Sequence, residues 1–161
     1  MTVATICVAL ALGLSACGSD DPAPTRKSVA TTTVTTMSTE GADAAARVCS
    51  QVITSAAVMI RDYNTFITKL NRTQDYANVT TEARYARDTL DTGADLIRKA
   101  NSPQVPKDLD DKVQKFLTST DELSEQIDQK RKQALNRTTT EWGDRRTAVV
   151  DACGEFLPTG A

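Results

Sequence analysis

Asn136-Arg137-Thr138-Thr139-Thr140 is the stretch on which the fold turns. Read as a break, with Thr138 and Glu141 spaced as a capping box, it separates a third helix from a fourth. Read as helix, it fuses the two and leaves three. Cys49 and Cys153 decide between these readings, because one lies near the start of the first helical stretch and the other near the end of the last. A disulfide requires Cα atoms roughly 4.4–6.8 Å apart. An even number of antiparallel helices brings those two ends together, whereas three helices would hold them about 30–40 Å apart at 1.5 Å rise per residue. A Cys49–Cys153 pair therefore implies an antiparallel, up-down four-helix bundle.

The periodicity on either side agrees with an all-α body over residues 41–158. Helix one, about Asp43 to Leu70, carries Ala45, Cys49, Val52, Ala56, Met59, Tyr63, Phe66 and Leu70 on one face. Helix two, about Thr81 to Ala100, has a stripe of small residues that includes Ala83, Ala86 and Gly93. Ser102-Pro103-Gln104-Val105-Pro106 interrupts the pattern, with Pro106 suited to the first turn of the next helix. Helix three, extending to about Leu135, places Leu109, Val113, Phe116, Thr120, Leu123, Ile127 and Ala134 near a heptad seam. In helix four, Trp142, Val149, Cys153 and Phe156 share a face before Pro158. No useful β-type alternation appears.

The N-terminal part reads differently. Val3 to Leu14 is an uncharged apolar run of 12 residues, too short for the roughly 20 of a membrane helix but suited to the core of a secretory signal. Only Met1 and Thr2 precede it, where such signals normally carry Lys or Arg. Directly after it stands Leu14-Ser15-Ala16-Cys17. This quartet resembles the bacterial lipobox, in which two small residues fit the peptidase cleft and the cysteine is lipidated and becomes the mature N-terminus. The resemblance implies a signal peptide over residues 1–16, an acylated Cys17 and a protein held at the extracytoplasmic face of the cell membrane. In that exported setting disulfides persist, which favours pairing of Cys49 with Cys153. Residues 17–40 are then a tether, rich in Thr, Ser and Pro and unable to offset its ordering entropy by burial. Such Thr-rich tethers look like those of actinobacterial lipoproteins. The resemblance ends at residue 40 and carries no named functional family for the helical body. Residues 159–161 form a short tail.

Composition excludes much chemistry. The chain contains no histidine, which removes Ser-His-Asp and Cys-His catalysis, imidazole metal sites and the Glu-x-x-His pairs of di-metal bundles. A net charge of −2 offers no global basic field for nucleic acid. Asp121, Glu122, Glu125 and Asp128 flank the seam of helix three and read as a solvated face rather than a metal site. Asn71, Asn78 and Asn136 each begin a glycosylation triplet, to which a bacterial setting gives no weight. We expect no enzyme activity, no cofactor and no metal.

One charge asymmetry suggests a surface. Residues 107–128 carry a balance of −4, and residues 130–146 a balance of +4. In an up-down bundle the turn between helices three and four points away from the tether, beside the loop joining helices one and two. The expected partner-binding tip comprises Arg72, Tyr76, Lys130, Arg131, Lys132, Arg137, Trp142, Arg145 and Arg146. Its partner would be an acidic envelope protein or an anionic polymer or lipid, and the chain would act as a binding or interaction module of the envelope. The alternative is a carrier that holds a lipid or other apolar small molecule between its helices, where the small residues of helices one and two would leave space.

Overall fold

The computed structural model describes residues 37–157, and the signal, the Leu14–Cys17 motif and most of the tether lie outside that range. Four α-helices follow in chain order: α1, Thr39–Thr73; α2, Thr80–Ala100; α3, Lys107–Asp128; and α4, Lys132–Cys153. A single 3₁₀ turn, Tyr76–Val79, leads into α2. Among the described residues there is no strand. α1 packs on α2 and α4, and α3 packs on α2 and α4, so the helices stand in a square in chain order.

α1 starts where its chemistry permits. Ser38 is extended and its hydroxyl accepts the Gly41 amide at 3.1 Å, with Glu40 in the first turn facing the positive end of the helix dipole. The bundle thus begins two residues before the expected boundary at 41, and Thr39 and Glu40 belong to a helix rather than the tether. α1 ends at Gln74, whose left-handed backbone (φ 57°) directs its amide to the Leu70 carbonyl at 2.8 Å. Asp75 then caps the 3₁₀ turn through the Ala77 amide. Pro106 immediately precedes α3 rather than opening its first turn.

The third interhelical break is not where the threonines place it. α3 ends at Asp128 and α4 begins at Lys132, so residues 136–140 lie inside α4. Thr138, Thr139 and Thr140 each donate a hydroxyl to the carbonyl four residues earlier, at 3.1, 2.6 and 3.0 Å. This back-bonding satisfies their hydroxyls within the helix and removes the reason to break there. Glu141 pairs with Arg145 instead of returning to cap Thr138. The real turn is Gln129-Lys130-Arg131. Lys130 adopts φ 55°, its amide bonds to the Ile127 carbonyl and the Arg131 amide to the Gln126 carbonyl. These are the two bonds of a Schellman motif, with lysine where glycine is usual.

The core is continuous along all four helices, from Ala44, Ala45 and Val48 at one end to Leu70, Val79 and Ile127 at the other. Gly93 lets α1 and α2 approach closely, since a Cβ there would lie 2.4 Å from Met59 Cε and 3.3 Å from Ser55 Cβ. Five aromatic rings run through the interior in sequence: Tyr76, Phe66, Tyr63, Trp142 and Phe116, with neighbouring centroids 5.7–6.2 Å apart. Such pairs contribute about 0.5–1.5 kcal/mol each beyond burial. The Cys49–Cys153 disulfide is wholly buried, with Cα atoms 5.2 Å apart, and joins α1 to the last residue of α4. In the chain-entropy model, closing a loop of this size stabilises by about 4.7 kcal/mol. That is a large part of an ordinary total of about 5–15 kcal/mol.

Candidate functional site

The end of the bundle opposite the disulfide gathers the C-termini of α1 and α3 and the N-termini of α2 and α4. Arg72 occupies the last turn of α1, Lys130 and Arg131 lie in the α3–α4 turn and Lys132 opens α4; all four are exposed. None forms an ion pair with a described residue, and Lys132 Nζ instead donates to the side-chain oxygen of Gln74. Two left-handed, non-glycine residues, Gln74 and Lys130, are thereby brought to one tip. Arg72 and Lys130 face the negative ends of the α1 and α3 dipoles, which favours them whether or not a partner binds, whereas Arg131 and Lys132 stand at the positive end of α4.

The remaining members of the expected tip separate from it. Trp142 lies about 15 Å along α4 from Lys132 at 1.5 Å per residue, and it is only 3% exposed. Its indole N–H donates to Thr120 Oγ1 at 3.0 Å, and that hydroxyl donates to the Phe116 carbonyl at 2.8 Å. It is a core residue. Arg145, about 20 Å from Lys132 along the helix, lines a surface depression with Asp108, Asp111, Lys112 and Lys115 from the opposite half of α3. Arg146 lies with its guanidinium 5.7 Å from the Trp142 ring centre. Both belong to the lower half of the bundle because α4 starts six residues earlier than the threonine run suggests. Arg137, in the second turn of α4, is exposed near the tip.

Sequence reading omitted Arg84 and Arg87. At the tip a crevice of about 220 Å³ is lined by Tyr76, Thr80, Ala83, Arg84, Arg87, Ile127, Asp128 and Lys130. Arg87 pairs with Asp128 across the α2–α3 seam, and Arg84 lies 5.1 Å from the Tyr85 ring centre. The spacing 80, 83, 84, 87 marks one face of α2 and was the available signal, but only the turn at 129–131 brings Lys130 against it. Two of these lining residues, Tyr76 and Arg87, have a hydroxyl and an Nε that are buried without a hydrogen-bond partner among the described residues. Burial, with a smaller contribution from Tyr63, pushes the Tyr76 phenol up to about 12, so it remains a donor at neutral pH.

Met59 fills the space facing Gly93, and what remains between α1 and α2 is an outer groove of about 280 Å³. Thr54, Val58, Thr92 and Leu96 border it, with Val58 and Leu96 39% and 42% exposed. Asp121, Glu122, Glu125 and Asp128 of α3 are exposed, and Asp121 and Asp128 are engaged by Arg98 and Arg87. Among the described residues no group of three or more potential metal ligands is assembled. No helix of the described residues is long and apolar enough to cross a membrane.

The chain matches no curated protein and no solved structure. Residues 30–154 match the family model of the Rv2240c four-helix bundle domain, a family of mycobacterial type. With most of its length covered by that model and four antiparallel helices closed by a disulfide, the chain belongs to the Rv2240c four-helix bundle domain family.

Proposed function

We propose that this chain is a lipoprotein anchored through Cys17 at the extracytoplasmic face of the membrane, and that it acts as an interaction module whose basic tip docks an anionic envelope partner. The observation that carries the docking reading is the gathering of Arg72, Lys130, Arg131 and Lys132, without carboxylate partners, at the end opposite Thr39, where the chain enters α1. Exposed like charges held together repel one another and favour an anionic surface. The anchor rests on the resemblance of Leu14-Ser15-Ala16-Cys17 to the lipobox.

Two steps test this reading. Metabolic labelling with palmitate should mark the wild-type chain and not Cys17→Ser, and an unlabelled wild type would remove the anchor. The unanchored Cys17→Ser chain is then sedimented with isolated envelopes. Replacing Arg72, Lys130, Arg131 and Lys132 by Glu should lower its recovery about tenfold at low salt, because exposed charges act over a Debye length near 10 Å at 0.1 M. Equal recovery would remove the tip from the mechanism.

The carrier reading has one observation in its favour, the apolar groove bordered by Val58 and Leu96. Its volume of about 280 Å³ lies at the lower edge of the roughly 300–1,000 Å³ of pockets for drug-sized ligands, and Val58 and Leu96 leave it open to solvent. Native mass spectrometry of protein extracted from its own membrane discriminates the two. An apolar molecule retained by the helical body would favour the carrier, and a bare chain would disfavour it.

A further inference from the structure

The docking reading leaves open what chemistry the tip recognises, and the crevice between α2 and the end of α3 answers more specifically than exposed charge does. Arg84, Arg87 and Lys130 converge on a space of about 220 Å³ that also contains one carboxylate, Asp128. Tyr76 and Thr80 add hydroxyl groups, while Ala83 and Ile127 supply an apolar wall. The lining is therefore rich in donors, and three cations face one anion. The space admits a small anionic group.

Two further observations bear on this crevice. Arg87 is bound to Asp128 through Nη1, yet its Nε is buried without a partner, and so is the Tyr76 hydroxyl. A buried donor left unpaired costs about 1–3 kcal/mol, and of the six buried polar atoms without a partner among the described residues these two belong to residues lining the crevice. Lys130 holds its side chain there from a left-handed backbone, which costs a residue with a Cβ roughly 1–2 kcal/mol and glycine almost nothing. The turn thus retains an ammonium at a position where glycine would be more stable.

We propose that this crevice is a phosphate-binding subsite, in which Arg84 and Lys130 supply the accessible charge and Arg87 and Tyr76 the inner donors. Phosphate suits it better than carboxylate, because donors approach from the 3₁₀ turn, α2 and the end of α3, and only a tetrahedral anion presents acceptors in that many directions. The inference rests on the docking reading for its biological setting and on the crevice for its chemistry.

The test titrates the isotopically labelled full chain with inorganic phosphate against chloride at equal ionic strength, followed by amide NMR. Saturable shifts confined to residues 76–87 and 127–131, and weakened about tenfold in Arg84→Ala and in Lys130→Gly, are expected for the loss of one charge-assisted hydrogen bond. Lys130→Gly suits the left-handed turn, and amide shifts unchanged outside 76–87 and 127–131 separate its effect from unfolding. Shifts that do not saturate, or that appear equally around Lys107 and Lys112, would overturn the subsite. A second arm compares glycerol 3-phosphate with phosphatidylglycerol vesicles. Binding of the former alone identifies a soluble or polymeric phosphate, and binding of the latter a lipid headgroup. Phosphate binding without an effect of the fourfold Glu replacement on envelope recovery would sink the docking reading and leave the subsite standing. The converse result would do the opposite.

Discussion

At the disulfide end, α1 and α4 are joined through cysteines with no exposed surface, and α1 carries a capped first turn and three fully buried apolar residues ahead of Cys49. At the other end, two helices terminate on left-handed side-chain-bearing residues, cations stand unpaired, and two donors are buried without partners. Buried polar atoms without a partner occur at both ends, Asn101 Oδ1 and Ser102 Oγ at the disulfide end and Tyr76 Oη and Arg87 Nε toward the tip, so what separates the ends is the backbone: the two left-handed non-glycine residues among those described both lie at the tip. Backbone strain persists where surrounding structure over-determines it, and it concentrates at functional sites. The contrast directs attention to the tip without reference to any motif.

The largest test of the contrast removes the covalent closure. Replacing Cys49 and Cys153 together by Ala should cost up to about 4–5 kcal/mol in denaturant unfolding. A loss below about 1 kcal/mol would mean that the disulfide end does not carry the stability assigned to it. In the middle, Thr120→Val leaves the Trp142 indole N–H buried without an acceptor, with an expected cost of about 1–3 kcal/mol. Red-shifted Trp fluorescence with unchanged stability would instead show that the indole finds water. At the tip the sign reverses: Lys130→Gly should stabilise by about 1 kcal/mol, because it relieves the left-handed backbone. A destabilising result would show that the turn is not strained.

The smallest effect is a slope in pH. The Tyr76 phenol is pushed up to about 12 from the ordinary 10.0, so in that interval the folded chain retains a proton that the unfolded chain has released. Its contribution to stability is therefore present below pH 10 and lost as the pH rises toward 12. Tyr76→Phe should flatten this part of the stability profile, and identical alkaline slopes in the two proteins would contradict the burial of the hydroxyl.

The helix count was legible because it followed from the two cysteines and needed no knowledge of where each turn falls. The turn itself was not. Gln129-Lys130-Arg131 contains neither Gly nor Pro, and its Schellman bonds depend on a backbone conformation that lysine seldom adopts. The nearby threonines resemble a break, yet their hydroxyls find acceptors inside the helix. Moving the start of α4 to Lys132 displaces everything after it by almost two turns, about 9 Å, which accounts for both Trp142 and the Arg145–Arg146 pair. Lys130, Arg131 and Lys132 kept their place because they are the turn. The crevice was beyond reach, since Arg84 and Lys130 are distant in sequence and meet only through the packing of α2 on α3.

One consequence of the disulfide concerns tension. Cys49 lies ten residues into α1, and Cys153 closes α4, with 104 residues of separation between them. A pull applied between the two ends of the chain runs along the first turns of α1, crosses the sulfur bridge and leaves beyond α4. The intervening loop, which contains α2, α3 and the whole tip, lies outside that load path. Stretching can therefore unravel α1 only as far as Cys49, while the tip keeps its shape under a force that would open an unbridged bundle.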